Sequence, residues 1–372
     1  MPKDLSEIKK EWEEKYKYGS VEKRMERAKL WKPYYSMIYK AQSGAKYTVP
    51  KNPDELIQKL IDDNVIKDDS TVLDIGCGLG GHTFQISSKV KEVTSIDSND
   101  VALEILEKRA KDNNVKNVTA LNIPWEEYKE DKKFNVVFSS MCPAICNPEE
   151  IERMESLSSD WCVLITVMAG SYDKHRKAMM GELNLKPEGM ITDFDTYLEA
   201  LKAMGRDVKT ATKTTKHEYK TYLEDMLETM PTYFKIFGIN EDEAVSFIKE
   251  YFDRNKDGDH LNDETLMNIG MIYWKVPKET WAMIGCYYLY HDSNDYCCLR
   301  PVVLASDQKW VSSFEKAAEL QHPGTITQNP CYKPRITGTI LANSDESLAM
   351  YRVVFAPVNP IDFNEDHLPW EL

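Results

Sequence analysis

The fold is indicated most clearly by one stretch of the sequence, Val72-Leu73-Asp74-Ile75-Gly76-Cys77-Gly78-Leu79-Gly80-Gly81-His82. It begins as a short apolar run, typical of a buried strand, and continues through glycines into a segment that can be helical. Glycines at a strand-to-helix turn let the backbone pass close to a ligand, and the helix N-terminus offers unpaired N–H groups to a negative charge. Gly76, Gly78 and Gly81 also satisfy G-x-G-x-x-G, a fingerprint of dinucleotide-binding loops.

Two carboxylates accompany this loop. Asp74 stands two residues before the first glycine, where it can accept a hydrogen bond from an amino group of the ligand. Asp97 ends the next predicted strand, about 20 residues after Gly76, where a carboxylate can bind both hydroxyls of a ribose. The loop and the two carboxylates together predict a nucleoside-binding site.

The rest of the pattern around the loop alternates strands with helices. The strands are almost continuously apolar, which indicates a parallel sheet covered on both faces. The predicted strands are 71–75, 92–96, 117–121, 134–138, 161–167 and 268–276, with a polar segment of strand character at 208–216. The predicted helices are 5–45, 53–64, 81–88, 100–113, 148–157, 193–204 and a long helical region at 218–252.

These residues resemble the class I S-adenosylmethionine (SAM)-dependent methyltransferases. The first motif of that family is matched by residues 73–80, and its acidic second motif by Ile96-Asp97. The resemblance covers about residues 50–276. It implies an α/β fold, a doubly wound Rossmann-like sheet that is mostly parallel with its last strand antiparallel, and an enzyme with SAM as cofactor and S-adenosylhomocysteine as product.

The resemblance also assigns the cofactor site. Asp74 and the glycines would hold the methionine moiety of SAM, and Asp97 the ribose. Where the family often has an acidic residue at the adenine amino group, Trp125 can stack on adenine and Glu126 can accept from it, or either can simply pack or face solvent. The residues predicted to bind the cofactor are Asp74, Gly76, Cys77, Gly78, Asp97, Ser98, Ile123, Trp125 and Ser140.

The methyl acceptor should face the end of the fourth strand, at 139–146, because ligands of open α/β sheets bind outside the carboxyl ends of the strands. This segment lacks the Asn/Asp-Pro-Pro-Tyr signature of the family's amino-methylating nucleic-acid and protein enzymes. We expect a small-molecule acceptor, with a helical lid from the N-terminus. The substrate-binding candidates are Tyr34, Tyr35, Tyr39, Met141 and Cys142, beside Ser140.

The sequence leaves several points at this site open. The tyrosines can instead form an ordinary amphipathic helix face. Cys142 and Cys146 would share a helical face, which suits a soft metal or metalloid acceptor, or they are inert buried thiols. No clear acid–base pair is visible, so no catalytic residue is assigned.

Residues 253–264 fit the pattern of an EF-hand loop. Oxygen ligands at loop positions 1, 3, 5 and 12, with glycine at position 6, are what calcium requires in such a loop. However, His260 occupies a position that is usually aliphatic, and no second hand is visible. A plain turn is the alternative to a calcium site. The metal candidates are Asp253, Asn255, Asp257 and Glu264.

Composition narrows the class of protein. The chain has 372 residues, 42% hydrophobic and 29% charged, with a formal net charge of −14. An acidic surface repels phosphate backbones, so no nucleic-acid partner is expected. There is no apolar run long enough to span a membrane and no secretory signal, so a cytoplasmic protein with reduced cysteines and no membrane partner is expected.

The domain interpretation has three parts: a helical lid over 1–50, a SAM-binding domain over 51–276 with a helical insertion at about 218–265, and an accessory domain over 277–372. The last resembles no known family, and it can recognise substrate, cover the active site or mediate contacts in a homodimer. It contains predicted strands at 284–289 and 336–341 and a predicted helix at 308–320. Its cysteines and histidines fit no regular zinc spacing; they are Cys286, His291, Cys297, Cys298, His322 and Cys331.

The predicted function is methyl transfer from SAM to a small molecule. One alternative is transfer of an aminopropyl or aminocarboxypropyl group on the same fold, with methylthioadenosine as the product. Another is a non-enzymatic SAM-sensing interaction protein.

Overall fold

The computed structural model describes residues 5–16, 21–43, 47–130, 132–185, 191–277, 283–290, 297–303 and 348–351. The chain divides into two units, Met1–Val276 and Pro277–Leu372. The helices of the first unit are α1 (Leu5–Tyr16), α2 (Val21–Ser43), α3 (Glu55–Asp62), α4 (Gly81–Ser87), α5 (Asp100–Asp112), α6 (Pro148–Ser156), α7 (Lys174–Glu182), α8 (Phe194–Ala203), α9 (Leu223–Lys235) and α10 (Glu241–Asn255).

The strands of the first unit form one sheet. They are β1 (Thr71–Ile75), β2 (Glu92–Asp97), β3 (Val118–Asn122), β4 (Phe134–Ser140), β5 (Ser158–Val167), β6 (Tyr172–Asp173), β7 (Val208–Tyr222) and β8 (His260–Lys275). The order is β3-β2-β1-β4-β5-β8-β6, and β7 pairs with β8. Strands β1 to β5 are parallel, whereas β8 runs antiparallel to β5, β6 and β7. The predicted α/β fold class, with an antiparallel last strand, is confirmed.

Both faces of this sheet are covered. On one face, Leu73 and Val137 pack with residues of α1, α6 and α8, such as Trp12 and Tyr197. On the other face, apolar residues of α3 and α4 pack on β1, β2, β4 and β5. Each fully buried large apolar side chain contributes about 1.5–3 kcal/mol to folding, so the two faces together stabilise the sheet and fix the positions of the strand ends.

Polar caps define where the helices begin. The side chain of Asn99 accepts hydrogen bonds from the N–H groups of Val101 and Ala102 and so starts α5 directly after β2. Asn147 caps α6 in the same way after β4. Each such cap satisfies an otherwise unpaired N–H group and is worth about 1 kcal/mol. The loops that follow β2 and β4 are therefore short and held at the carboxyl edge of the sheet.

Two segments differ from the sequence prediction. Residues 218–222, predicted as helical, continue β7, because Glu218 to Tyr222 pair with Glu264 to His260 of β8. This pairing also starts β8 eight residues before its predicted beginning at 268, within the segment predicted as a helical insertion. Helix α7 and the short strand β6 were not predicted. The side chain of Asp173 starts α7 by accepting from the N–H of Arg176 at 3.2 Å.

In the second unit, the described residues form an antiparallel sheet in the order β10-β9-β11. The strands are β9 (Met283–Tyr290), β10 (Cys297–Val303) and β11 (Leu348–Tyr351). The predicted strand at 284–289 lies within β9. The predicted helix at 308–320, the predicted strand at 336–341 and three members of the suggested zinc set, His291, His322 and Cys331, lie outside the described residues.

Across the described part of the chain, none of the helices combines the length and apolar character needed to cross a membrane.

Candidate functional site

The glycine loop lies at the carboxyl end of β1 and has a backbone that only glycine adopts readily. Gly76, Gly78 and Gly80 have φ values of +72°, +52° and +80°. A Cβ atom at Gly76 would lie 2.7 Å from Cβ of Cys142 and closer still to its Sγ. The N–H groups of Gly76 and Cys77 donate to the carbonyl of Ile96, at 2.9 and 3.2 Å. The loop therefore passes directly between the ends of β2 and β4.

Asp97 organises the end of β2. Its Oδ2 accepts from the N–H of Gly78 at 2.8 Å, and its Oδ1 from the N–H of Asn99 at 2.8 Å. Burial raises the pKa of Asp97, while the backbone N–H groups of Asn99 and Gly78 oppose that rise. An ionised carboxylate has about four acceptor positions, and the backbone N–H groups of Gly78, Ser98 and Asn99 do not occupy all of them. Asp97 thus ties the glycine loop to β2 and keeps the capacity to accept further hydrogen bonds. The neighbouring Ser98 is exposed.

Asp74 lies beneath the loop and is only 2% exposed. Its Oδ2 accepts from the hydroxyl of Thr83 on α4 at 2.5 Å. Burial raises the pKa of Asp74 to about 6, although the Thr83 hydroxyl and the nearby His82 lower it. The structure therefore shows Asp74 connecting β1 to the first turn of α4, and its predicted contact with a ligand amino group stays a prediction.

The residues after β3 need one correction. Ile123 is half-buried next to the core. Trp125 is 3% exposed; its Nε1 donates to Glu150 at 2.6 Å, and the guanidinium of Arg153 lies 3.9 Å from a ring centroid of the indole. Its ring is therefore enclosed by protein and has no face open for adenine. The predicted stacking role of Trp125 is corrected to packing between the β3 end and α6.

The segment after β4 closes the site on the opposite side of the glycine loop. Ser140 is the last residue of β4 and is half-buried. Met141 has a φ of +52°, a strained conformation for a residue with a side chain, and its N–H donates to Ile165 at 2.8 Å. Burial raises the pKa of Cys142 to about 12, so its thiol is protonated at neutral pH. Cys146 is buried in the core instead, away from this edge.

Helix α2 lies over the carboxyl edge of the sheet. Lys32 pairs with Asp100 at 2.9 Å, and Ser36 hydrogen-bonds Asn99, both at the start of α5. One turn further, the hydroxyl of Tyr39 lies 3.4 Å from the position of a Cβ at Gly78. Helix α2 therefore covers the glycine loop, as a lid would.

The tyrosines of α2 lie on the side of this helix that faces the protein. Tyr39 stacks on Tyr35 at a centroid distance of 6.0 Å, and Tyr34 is 9% exposed. Burial raises the pKa of all three phenols. The structure brings the tyrosine candidates, Cys142 and the glycine loop together at one edge of the sheet.

Two further side chains at this edge were not found from the sequence. Arg176 of α7 lies with its guanidinium 5.7 Å from the ring centroid of Tyr233 of α9. Tyr233 in turn lies 5.3 Å from Tyr34. The Asp173 cap of α7 is a signal that could have located this helix, but nothing local in the sequence places α7 and α9 against α2.

The calcium candidates are dispersed among other contacts. Asp253 pairs with Lys256, Asp257 accepts from Asn262, and the amide of Asn255 donates to a backbone carbonyl. Glu264 lies in β8, where it contacts Tyr172 and Lys216. Among the described residues, no group of three or more His, Cys, Asp or Glu side chains is arranged to hold a metal ion. The structure does not gather this segment into a coordination shell.

The geometry defines a class of protein: a doubly wound α/β domain with a left-handed glycine loop at the carboxyl end of β1 and helix α2 packed beside that loop. Comparison with known proteins extends this. Residues 66–228 match the family described as methyltransferase domain. Over this segment, which is under half of the chain, the protein is similar to methyltransferase domains.

Individual relatives are similar over shorter stretches. A probable cobalt-precorrin-6B C(15)-methyltransferase (decarboxylating) from Methanocaldococcus jannaschii is 36% identical over 75 residues, which are 20% of this chain and 40% of that protein. The ribosomal RNA small subunit methyltransferase A of Malacoplasma penetrans is 26% identical over 94 residues, 25% of this chain and 34% of that protein. The chain thus spans less than half the length of these curated relatives. The crystal structure of YcgJ from Bacillus subtilis is 15% identical with a TM-score of 0.40, covering 59% of this chain and 97% of that one.

Proposed function

We propose that this protein transfers the methyl group of SAM to a small-molecule acceptor. The observation that carries the proposal is the arrangement of Asp97, whose carboxylate is held by the N–H groups of Gly78 and Asn99 directly beside a left-handed glycine loop. Such a carboxylate at the end of β2 suits the two hydroxyls of a ribose.

The residues present fit SAM as the cofactor. A Cβ at Gly78 would point toward the Tyr39 hydroxyl, 3.4 Å away, so glycine keeps the space between the loop and α2 clear, and the Asp97 carboxylate can accept further hydrogen bonds. In this proposal Asp97 binds the ribose, while Asp74 and the loop orient the methionine moiety. Bound SAM supplies an electrophilic methyl group on a sulfonium, and the chain's part is to position the acceptor in line with it and to exclude water.

The protonation states of the side chains around the acceptor position limit which acceptors can react. The pKa of Tyr35 and that of Cys142 are each raised to about 12 by burial, so both groups keep their protons at neutral pH. They can donate hydrogen bonds, but they are not suited to remove a proton from the acceptor. We therefore propose an acceptor whose reacting atom can attack the methyl group without first losing a proton to either of these side chains.

A small acceptor is favoured over a nucleic acid for two reasons. The lid helix α2 lies across the loop, tied to α5 by Lys32 and Ser36, which leaves the site better matched to a small molecule than to a polymer. The formal net charge of −14 also opposes a phosphate backbone.

The experiment is a turnover assay of the full chain with SAM labelled in its methyl group and a panel of amines, phenols, thiols and carbon nucleophiles. We expect label in an acceptor and S-adenosylhomocysteine as the second product. Methylthioadenosine as the product would replace the proposal with aminopropyl or aminocarboxypropyl transfer. Tight SAM binding without turnover on any acceptor would favour a SAM-sensing role.

A further inference from the structure

Four tyrosines and one arginine form a continuous group between α2, α7 and α9. The ring of Tyr34 lies 5.3 Å from that of Tyr233 and 5.7 Å from that of Tyr35, and Tyr35 stacks on Tyr39 at 6.0 Å. The guanidinium of Arg176 lies 5.7 Å from the ring centroid of Tyr233. We call these five residues the tyrosine–arginine cluster.

The cluster begins at the glycine loop and leads away from it. The Tyr39 hydroxyl lies beside Gly78, and Asp97 contributes to the raised pKa of Tyr39. The ring contacts then run from Tyr39 to Tyr35, from Tyr35 to Tyr34 and from Tyr34 to Tyr233. The guanidinium of Arg176 lies beside Tyr233, at the end of this series away from Gly78.

The guanidinium of Arg176 is charged, and its neighbours do not accept hydrogen bonds from all of its N–H groups. Its Nη2 lies 3.6 Å from Oδ2 of Asp173, beyond hydrogen-bond distance, and it also interacts with the hydroxyl of Tyr34. Asp173 is already engaged in capping α7 through the N–H of Arg176. A guanidinium has five N–H donors in a planar fork that matches two oxygens of an anion. Arg176 therefore has donors to offer a bound ligand.

The other polar groups of the cluster favour an anion as well. Burial raises the pKa of the Tyr34 and Tyr233 phenols, so both are neutral hydroxyl groups that can donate hydrogen bonds. The rings of Tyr35 and Tyr39, which are half-buried, supply apolar surface for a carbon skeleton. The Arg176 side chain is 40% exposed, so an anion can reach this positive charge from solvent, in a chain whose formal net charge is −14.

The geometry points to Arg176 as the residue that binds an oxyanion, a carboxylate or a phosphate, on the methyl acceptor. The tyrosine rings then hold the part of the acceptor between that oxyanion and the reacting atom. This inference rests on the proposed function, since it names the substrate class of the same site. An amine held by Asp173 against the tyrosine rings is the opposite result, and the test separates the two.

The test uses the full chain saturated with S-adenosylhomocysteine and four matched probes. Benzoate and phenyl phosphate are the carboxylate and phosphate probes, benzamide is the neutral probe, and benzylamine is the cationic probe. Binding is measured by ligand-observed NMR titration and, independently, S-adenosylhomocysteine affinity is measured by calorimetry. We expect at least one anionic probe to bind about tenfold or more tightly than benzamide and benzylamine, the scale of a charge-assisted hydrogen bond. Which of the two anions binds better distinguishes a carboxylate from a phosphate acceptor.

Variants assign the effect to the residue. Arg176→Gln should remove the preference for the anionic probe while S-adenosylhomocysteine affinity stays within twofold, and Arg176→Lys, which keeps the charge but not the fork, should give an intermediate preference. Arg254→Gln on α10, which breaks a surface ion pair with Glu182 of α7, is the matched control and should change neither the anion preference nor the S-adenosylhomocysteine affinity.

The outcomes separate the two proposals. If the wild-type chain binds S-adenosylhomocysteine but prefers benzylamine, binds all probes equally or binds none, the role of Arg176 is refuted and methyl transfer stands. An anion preference that survives in Arg176→Gln refutes it too. If the folded wild-type chain does not bind S-adenosylhomocysteine, the proposed function fails first, and the assignment of Arg176 to a methyl acceptor falls with it.

Discussion

Replacing Asp97 with alanine removes a carboxylate that has two structural partners and one proposed ligand. The N–H groups of Gly78 and Asn99 would lose their acceptor, and the ribose of SAM would lose the group proposed to bind its hydroxyls. A hydrogen bond to a charged group is worth about 1.5–3 kcal/mol. We expect SAM and S-adenosylhomocysteine to bind about 10- to 150-fold more weakly to Asp97→Ala.

The assay is calorimetric titration of wild-type and variant chains at pH 7.5, with thermal unfolding recorded on the same samples to show that each is folded. Asp69→Ala is the matched control, because Asp69 is an exposed carboxylate in the turn before β1. It should bind both nucleosides as the wild type does. A folded Asp97→Ala chain whose affinity lies within twofold of the wild type would refute the assignment of Asp97 to the ribose.

Other predictions concern the loop and its support. Gly76→Ala forces a side chain into a left-handed backbone and onto Cys142, so the free energy of unfolding by urea should fall by at least about 2 kcal/mol. Gly81 has open space around its Cβ position, so Gly81→Ala should change the free energy of unfolding by no more than about 1 kcal/mol. An equal loss of stability in both variants would contradict the predicted clash between a side chain at position 76 and Cys142. Asp74 has its pKa raised to about 6 by burial, so it ionises in the unfolded chain near pH 4 but in the folded chain only near pH 6. Its contribution to stability therefore falls as pH rises through this window, and wild-type stability relative to Asp74→Asn should drop by about 2 kcal/mol between pH 4 and pH 7. If the difference in stability between the wild type and Asp74→Asn did not change with pH, the pKa of Asp74 would not be raised by burial in the folded chain.

The sheet could be predicted from the sequence because its strands are local and apolar. Residues 71–75 and 134–138 are continuous hydrophobic runs bounded by polar or glycine turns, so their positions follow from pattern alone. By contrast, 218–222 is polar and exposed, and it is a strand only because β8 pairs with it. That pairing is decided by tertiary contact, which overrides the local preference for helix.

The glycine loop and Asp97 were equally accessible to sequence reasoning, because Gly76, Gly78 and Asp97 lie at fixed spacing along one strand–loop–helix–strand unit that ends with β2. The interpretation of Trp125 went wrong because the ring's neighbours, Glu150 and Arg153, come from α6, a later part of the chain. The same limit hid Arg176 and Tyr233, because three separate helices must pack before the tyrosine–arginine cluster exists.

Calorimetric titration of the purified full chain with SAM, S-adenosylhomocysteine and NAD shows whether the glycine loop and Asp97 bind the proposed cofactor. Asp97 and the glycine loop would suit the ribose of either kind of nucleotide, so NAD is the informative competitor. We expect micromolar binding of the two sulfur nucleosides and no binding of NAD. Binding of NAD, or a folded chain that binds neither sulfur nucleoside, would contradict it.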